Sequence, residues 1–171
     1  AANAFLATKI TFINEIANLC EQVGSNVEDI AIGIGTDERI GSRFLRAGPA
    51  YGGSCFPKDT KALTKIGDKF KTDMSVVKSV IKSNEKRKSK LANQIIEILG
   101  NPKGKKVGFL GVTFKANTDD MRDTQCLKIF PQLLRKGVKI SYYDPTGKKD
   151  ELKNIEFKKS SLEILKNNDL I

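Results

Sequence analysis

The chain contains no histidine and only three cysteines, and this scarcity excludes several kinds of site. Cys20, Cys55 and Cys126 are odd in number and lack the spacing of metal ligands, and no imidazole is present to complete a zinc site. We therefore expect neither a disulfide framework nor a bound metal. No apolar run approaches the length of a bilayer-spanning helix, and residues 1–7 lack the basic start of a signal peptide. These absences predict a soluble, cytoplasmic protein with no membrane partner.

The usual nucleotide-binding fingerprints are also missing. Gly108 and Gly111 do not form a GxGxxG sequence, and no Walker A sequence is present. The formal net charge of +10 raises a nucleic-acid-binding module as an alternative function, with the run from Glu85 to Lys90 as its best evidence. No aromatic residues interleave with these charges, as base stacking requires. We interpret the run as a solvated helix face, which predicts no nucleic-acid partner.

Hydrophobic periodicity divides the chain into two parts. Up to residue 102 the patterns are helical, whereas from residue 103 short strands alternate with helices, which is typical of a parallel, doubly wound sheet. The predicted helices lie at residues 1–23, from Asn26 onward, 58–70, 74–99, 124–136 and 161–167, and the predicted strands at 105–112, 138–143 and 155–157. Residues 169–171 resemble the start of a further strand. The fold class is therefore α/β, with an all-α domain over residues 1–102 and part of a Rossmann-like domain over 103–171.

The first predicted helix carries two apolar stripes. One consists of Phe5, Phe12, Ile16, Leu19 and Val23, and the other of Leu6, Ile10, Ile13, Ala17 and Cys20. A helix that is apolar on two sides is expected to be buried on both. A small, polar strip, formed by Asn3, Ala7, Asn14 and Glu21, either lines a site or is solvated, and the pattern leaves both open.

The segment GGSCFPKD at residues 52–59 carries the strongest chemical signal. Cys55 lies on a glycine-rich turn, and Pro57 suits the first turn of a helix, whose positive dipole end favours a thiolate. Lys58 adds a cation, and Asp59, about one helical turn after the cysteine, can orient a water or accept a proton. The alternative is a small cysteine buried in a turn, but the flanking residues favour a nucleophile. Cys20 and Cys126 lie among apolar neighbours, and we predict that they are packing residues.

Two loops carry the remaining candidate charges. Residues 36–57 contain Arg39, Arg43 and Arg46 together with glycines that allow close backbone approach, a composition suited to an anionic ligand. Residues 114–122 follow the first predicted strand at its carboxyl end, where ligands bind in doubly wound sheets. Lys115 and Arg122 in this loop either meet phosphates or are solvated loop charges. Asp119 and Asp120 are interpreted as partners of Arg122 or as caps of the next helix, not as metal ligands.

Four segments in this order are similar to a known enzyme family. They are residues 1–7 (AANAFLA), 39–41 (RIG), 52–59 (GGSCFPKD), and 114–115 (FK) together with 117–122 (NTDDMR). On these segments the chain resembles the UDP-glucose/GDP-mannose dehydrogenase family over nearly its whole length. The resemblance implies NAD-dependent oxidation of the C6 alcohol of a nucleotide sugar to a carboxylate by two successive hydride transfers. The FPKD sequence after the cysteine favours UDP-glucose over N-acetylhexosamine sugars, with GDP-mannose as the closest alternative.

The resemblance also implies roles for individual residues. Cys55 would be the nucleophile that forms a thiohemiacetal and then a thioester, with Asp59 and Asn3 assisting the water and the oxyanion. Lys58 and Arg122 would reach NAD. The nucleotide sugar would be held by a larger group, which consists of Asn3, Arg39, Phe44, Leu45, Arg46, Ala47, Gly48, Gly52, Phe114 and Lys115. Arg39 would enter the site of a neighbouring subunit, which implies a homodimer built on the helical domain.

The family pattern further implies that NAD is bound mainly by an N-terminal domain that would precede Ala1, with a catalytic lysine just upstream of this residue. Another substrate-binding arginine would follow the last residues of the chain. The chain is therefore expected to be a fragment and to be inactive by itself.

Overall fold

The structure is a computed structural model that describes all 171 residues. The chain forms two compact units, Ala1–Arg87 and Lys88–Ile171. The first unit is helical, and the second contains a small parallel sheet with helices. None of the helices has both the length and the apolar character needed to cross a bilayer.

The first unit is built from helices joined by short turns and one long loop. Its helices are α1 (Ala2–Val23), α2 (Val27–Gly35), α3 (Phe56–Lys69) and the first part of α4 (Ser75–Leu99). Gly24 ends α1 in the left-handed conformation, with φ of 71°, which glycine adopts without steric cost. Asn26 caps α2, because its side chain accepts a hydrogen bond from the Glu28 N–H. The loop of residues 36–55 lies between α2 and α3.

Helix α4 extends through the point at which the two units divide. Its C-terminal half contributes Ala92, which is fully buried, to the core of the second unit. Leu91, Ile95, Ile96 and Leu99 pack against the same core. The predicted boundary at residue 102 was placed where this helix ends, whereas the compact units divide within the helix, because its last three turns are apolar toward the sheet.

The second unit contains three parallel strands, β1 (Lys106–Leu110), β2 (Lys139–Tyr143) and β3 (Glu156–Phe157), in the order β1-β2-β3. Leu170 makes a parallel bridge to Val107 on the free side of β1, in agreement with the strand predicted from residue 169. Helices α5 (Cys126–Arg135) and α6 (Ser161–Lys166) and a 3-10 turn (Asp150–Leu152) complete the unit.

The two helices cover opposite faces of this sheet. The Phe109 ring packs on Phe130 of α5, with ring centroids 4.5 Å apart. The neighbouring Gly108 instead lies against Ile164 of α6. Because successive residues of a strand point to opposite faces, α5 and α6 lie on different sides. The predicted fold class, a helical domain followed by part of a doubly wound sheet, is confirmed.

The predicted helices and strands are all present, with ends that differ by one or two residues. Strand β1 ends at Leu110, earlier than predicted, because Gly111 has a φ of 86° that takes the chain out of the extended conformation. Helix α5 begins at Cys126 instead of residue 124, because the Thr124 side chain is bonded to the Val112 carbonyl across the loop.

The expectation that α1 is buried on two sides is wrong. The second stripe faces the interior, with Ile13, Ala17 and Cys20 buried. The first stripe is largely open to solvent, with exposed fractions of 68% for Phe5, 50% for Phe12, 57% for Leu19 and 64% for Val23. An apolar stripe of this size on a helix surface is typical of a contact surface with another molecule.

We predict that Gly108→Ala destabilises the second unit. An added Cβ would lie 2.5 Å from Ile164 Cγ2 and 2.7 Å from Asn168 Nδ2, and Ile164 is fully buried and cannot move aside freely. Overpacking of this kind costs about 1–3 kcal/mol, which urea denaturation monitored by circular dichroism measures.

Gly33→Ala is the matched control, because nothing lies within 4 Å of a Cβ at this helical position. This substitution is expected to be neutral or slightly stabilising. Equal denaturation midpoints for Gly108→Ala and the unsubstituted chain would contradict the proposed close packing of α6 on β1.

Candidate active site

Cys55 lies at the start of α3, on the surface of the first unit. It is the N-cap residue of the helix, and its carbonyl accepts the Asp59 N–H at 2.9 Å. Gly53, with φ of 79°, supplies the left-handed turn before it, and Pro57 occupies the first turn of the helix. The thiol is exposed and lies 3.6 Å from Ser54 Oγ. Cys55 therefore lies at a helix N-terminus, as predicted.

Asn3 and Asp59 are in direct contact although 56 residues separate them. Asn3 Nδ2 donates to Asp59 Oδ2 at 2.6 Å, which joins the start of α1 to the first turn of α3. This hydrogen bond, supported by the Lys58 ammonium at 3.6 Å, lowers the pKa of Asp59 below its ordinary value. Asp59 is thus a carboxylate at neutral pH, one helical turn from the exposed thiol. The arrangement can hold a water close to a carbon bound to Cys55.

The segment of residues 44–48 approaches the same region of the first unit. Phe44 has a φ of 65°, which is strained for a side chain of its size, and its ring lies 6.0 Å from that of Phe56, next to Cys55. Leu45 is buried, whereas Arg46 is exposed. Ala47 and Gly48 are half-buried.

Gly48 and the following residues are bound to the helices. The Gly48 N–H donates to Asn14 Oδ1 at 2.8 Å, and its carbonyl accepts from Arg87 Nε at 2.6 Å. Asn14 belongs to the polar strip of α1, and it is buried instead of solvated. Gly52, which continues toward Cys55, is half-buried.

Arg39 lies on the exposed surface at the far end of the loop. Its guanidinium forms a bidentate pair with Asp37, at 3.0 and 2.6 Å, which lowers the pKa of this carboxyl. The turn that follows is held by Lys9 of α1, whose Nζ donates to the carbonyls of Ile40 and Gly41. Arg39 does not contact the other predicted site residues of its own unit, and its proposed role in a neighbouring subunit stays a prediction.

In the second unit, the loop of residues 111–125 leaves β1 at the carboxyl edge of the sheet. Asp144, which follows β2 at the same edge, accepts the Val112 N–H at 2.9 Å, and Thr124 Oγ1 donates to the Val112 carbonyl at 2.7 Å. Lys88 of α4 is 1% exposed and lies 3.8 Å from Asp123, which fixes the end of the loop.

The candidate charges of this loop differ in their surroundings. The Lys115 ammonium lies 5.3 Å from the centre of the Phe114 ring, a cation–π contact. Arg122 forms a bidentate pair with Asp120, which lowers the pKa of this carboxyl to about 2. The predicted pairing of Asp120 with Arg122 is confirmed. The structure shows no group of three or more Cys, Asp or Glu side chains arranged to hold a metal ion.

Sequence reasoning missed the residues that hold the site segments in place. These are Lys9, Asn84, Arg87 and Lys88. Arg87 and Lys88 belong to the basic run that is interpreted as a solvated face. This interpretation is wrong for these two residues, because Lys88 is buried and the half-buried Arg87 is bonded to α1. The apolar residues that follow them on α4, such as Leu91 and Ala92, were the signal that this part of the helix is packed against other elements.

Comparison with known proteins agrees with the two-unit division. Residues 1–86 match the model of the UDP-glucose/GDP-mannose dehydrogenase family, central domain, and residues 108–171 match the model of the same family's UDP binding domain. The chain belongs to the UDP-glucose/GDP-mannose dehydrogenase family. The resemblance inferred from the four sequence segments is confirmed.

Individual family members are similar at high coverage of this chain. UDP-glucose 6-dehydrogenase from Rhizobium meliloti is 51% identical over 157 residues, 91% of this chain and 36% of the relative. The enzyme of the same name from Rickettsia felis is 48% identical over 159 residues, 92% of this chain and 36% of the relative. The solved structure of a UDP-glucose dehydrogenase from the hyperthermophilic archaeon Pyrobaculum islandicum is similar to this chain with a TM-score of 0.93 and 32% sequence identity. The match covers 99% of this chain and 40% of the archaeal chain. The chain thus spans about two fifths of the length of these family members.

We predict that only one of the three thiols reacts under native conditions. Cys55 is exposed, whereas Cys20 and Cys126 are buried, and burial raises the pKa of the Cys126 thiol to about 12. Because the thiolate is the reactive form, Cys126 is inert in the folded protein. Iodoacetamide followed by peptide mass spectrometry is expected to modify Cys55 alone, and all three cysteines after unfolding in urea. Native modification that persists at full extent in Cys55→Ala would contradict this assignment.

Proposed function

We propose that this chain supplies the central and nucleotide-sugar-binding parts of an NAD-dependent UDP-glucose 6-dehydrogenase, which converts UDP-glucose to UDP-glucuronate. The observation that carries the proposal is the Asn3–Asp59 hydrogen bond, one helical turn from an exposed Cys55 at a helix N-terminus. The named function of the relatives supports the same substrate. The activity is proposed for the full-length enzyme.

The covalent chemistry centres on Cys55. Its sulfur adds to the C6 aldehyde of the half-oxidised sugar and forms a thiohemiacetal, which loses a hydride and a proton to become a thioester. Water then attacks the thioester carbonyl, the C–S bond breaks, and the product carboxylate leaves the regenerated thiol. Asp59 holds the attacking water and Asn3 donates a hydrogen bond to Asp59 and toward the developing oxyanion.

NAD⁺, when bound, supplies the hydride acceptor for both oxidations. Two cations of this chain fit a pyrophosphate, Lys58, which is exposed, and Arg122, whose exposed guanidinium is held in a fixed orientation by Asp120. We propose that both reach the cofactor, and that most of its contacts come from outside this chain.

Each unit offers candidate contacts for a nucleotide sugar. In the first unit, the exposed residues Phe44 and Arg46 and the half-buried Ala47 and Gly52 are accessible to it. In the second unit, Lys115 and Phe114 lie in the loop at the carboxyl edge of the sheet, the edge at which doubly wound sheets bind ligands. The excess of lysine and arginine in the chain favours an anionic substrate. The free thiols agree with a reducing compartment such as the cytoplasm.

The same enzyme is proposed to be a homodimer through its helical domain. The exposed stripe of α1 repeats every seven residues from Phe5 to Leu19 and continues to Val23, so it spans about 27 Å of helix. A straight apolar stripe can pack against its own copy across a two-fold axis. Arg39, exposed on the loop of residues 36–55, would then reach the partner's site.

Two alternative functions are considered, a dehydrogenase with another sugar nucleotide as substrate and a nucleic-acid-binding module. GDP-mannose is the closest alternative sugar nucleotide, since a GDP-mannose dehydrogenase from Pseudomonas aeruginosa shares the fold at a TM-score of 0.65 and 27% identity. For a nucleic-acid-binding module, the best evidence was the run from Glu85 to Lys90. Of its two central cations, Lys88 is buried, and Arg87 is half-buried with its guanidinium bonded to Gly48, Asn14 and Asn18.

We predict that Cys55→Ala abolishes turnover of the full-length enzyme. With UDP-glucose the unsubstituted enzyme is expected to release about two NADH per sugar, as covalent four-electron oxidation requires. NADH absorbance is followed with UDP-glucose, GDP-mannose and UDP-N-acetylhexosamines in parallel, with Cys20→Ala as the control thiol variant. Full activity of Cys55→Ala, or oxidation of no nucleotide sugar, would overturn the proposal, and a preference for GDP-mannose would correct the substrate.

Asp59→Asn is expected to slow the hydrolytic step by about 10²- to 10⁴-fold, because the carboxylate that holds the water is lost. The thioester on Cys55 should then accumulate and be visible as a mass increase of the intact protein. Unchanged turnover without accumulation would exclude a role for Asp59 in hydrolysis.

We predict that Phe12→Glu converts the dimer into a monomer, since it places a charge in the middle of the exposed stripe. Gln22→Glu adds the same charge at an exposed position of α1 outside the stripe and is expected to leave the dimer intact. Sedimentation velocity of the full-length enzyme measures both. A dimer that survives Phe12→Glu would place the interface elsewhere.

A further inference from the structure

Three residues, 49–51, connect the sugar-binding segment to Gly52 and the cysteine turn, and this connection is fixed at both ends by side chains of helices. At one end the Gly48 N–H and carbonyl are bonded to Asn14 and Arg87. At the other end the Tyr51 N–H donates to Asn84 Oδ1 at 2.8 Å, and the Tyr51 carbonyl accepts from Asn84 Nδ2 at 3.1 Å. A single amide side chain thus pairs with both main-chain groups of Tyr51, as a neighbouring strand would.

The side chains that make these bonds are themselves held rigidly. Asn84 is 3% exposed and Asn14 is 2% exposed. Arg87 Nη1 donates to the Asn14 carbonyl at 3.0 Å and to Asn18 Oδ1 at 2.8 Å, so the guanidinium is fixed against α1. Asn84 uses both its amide oxygen and its amide nitrogen, and Arg87 donates three hydrogen bonds, so the positions of these two side chains are strongly determined.

The anchored segment lies between the two parts of the site that must act on one sugar. It follows residues 44–48 and precedes Gly52 and Cys55. The Tyr51 ring also packs edge-on against Phe56, the residue after the thiol, with centroids 6.1 Å apart. Displacement of either anchor therefore changes the spacing between the bound sugar and the sulfur.

We propose that Asn84 and Arg87 are positioning residues of the reaction, which set the distance between the nucleotide-sugar segment and Cys55. This inference rests on the proposed function. The two residues act at different ends. Arg87, through Gly48, sets the position of the sugar-binding segment, and Asn84, through Tyr51, sets the position of the cysteine turn.

A purely structural role gives a different pattern from a positioning role. Loss of packing alone lowers the melting temperature and reduces the fraction of folded enzyme, which leaves KM and the reactivity of each folded molecule unchanged. Loss of positioning instead changes kcat in one variant and KM in the other. Asn84 variants are expected to change the chemical step, and Arg87 variants the binding of the sugar nucleotide.

The experiment compares Asn84→Ala and Arg87→Met in the full-length enzyme with two controls on exposed positions of α4, Asn93→Ala and Lys86→Met. Steady-state kinetics with UDP-glucose at saturating NAD⁺ are measured at a temperature at which circular dichroism shows every variant to be folded. The rate of Cys55 alkylation by iodoacetamide is measured on the same samples without substrate.

Asn84→Ala is expected to lower kcat by about 10- to 100-fold with KM for UDP-glucose nearly unchanged, since small displacements of a reacting group have effects of this size. Its Cys55 alkylation rate should differ by several-fold from that of Asn93→Ala. Arg87→Met is expected to raise KM by about 10-fold, the equivalent of about one lost hydrogen bond to a charged group, with little change in kcat or in alkylation. Arg87→Lys, which retains one donor toward Gly48, should recover part of the lost affinity.

Unchanged kcat, KM and alkylation rate in both folded variants would overturn the proposal. So would equal changes of kcat and KM in both variants, because the proposal assigns the change in kcat to Asn84→Ala and the change in KM to Arg87→Met. If the unsubstituted enzyme oxidises no nucleotide sugar, the proposed function fails. The alkylation rates of Asn84→Ala and Asn93→Ala still decide in that case whether Asn84 positions the thiol. If Asn84→Ala does not fold, Asn84→Asp is used instead. An ionised aspartate at this position still accepts the Tyr51 N–H but cannot donate to the Tyr51 carbonyl.

Discussion

The site depends on one constraint, the need of an irregular backbone to find hydrogen-bond partners when it is partly buried. The loop of residues 36–55 has no neighbouring strand, so helical side chains supply the partners. Lys9 binds the carbonyls of Ile40 and Gly41, and Asn84 binds both main-chain groups of Tyr51. The loop that leads to Cys55, the proposed nucleophile, is thereby held in place by the helices beside it.

The loops of residues 36–55 and 111–125 contain most of the non-glycine residues with a positive φ. Phe44, Asn117 and Asp123 have φ values of 65°, 59° and 52°, which non-glycine residues rarely adopt. Such conformations persist only when the surroundings determine them, and they occur often at functional sites. Phe44 is held by its ring contact with Phe56, and Asp123 by the buried Lys88. Strain and anchoring therefore occur together in each unit, next to the candidate residues.

Local sequence was sufficient for some of these features and not for others. Helix and strand positions follow from periodicity and end signals such as Gly24 and Asn26, so they were predicted closely. Cys55 was recognisable as a candidate nucleophile because the glycines, Pro57, Lys58 and Asp59 that mark it are its neighbours in the sequence. The roles of Asn84 and Arg87 were not recognisable, because the main-chain groups that they bind lie more than thirty residues away in the sequence. The apolar neighbours of Arg87 on α4 indicate a packed helix but do not identify its partners. The Phe5–Phe12 stripe was wrongly predicted to be buried, because periodicity identifies an apolar face but not what covers it.

The charge state of Asp59 limits the part that it can take in the proposed reaction. Its pKa is lowered, first by the Asn3 amide and then by Lys58, so it is ionised at neutral pH and is a weaker base than an ordinary carboxylate. A weak base removes a proton from water poorly in the ground state. A thioester, however, is reactive toward water, and the step needs a well-placed nucleophile more than a strong base. The Asn3–Asp59 bond fixes the carboxylate oxygens in place, and this favours a role in which Asp59 orients the water and takes its proton only as the C–O bond forms. The interaction that weakens Asp59 as a base is then the one that makes it a precise partner for the water.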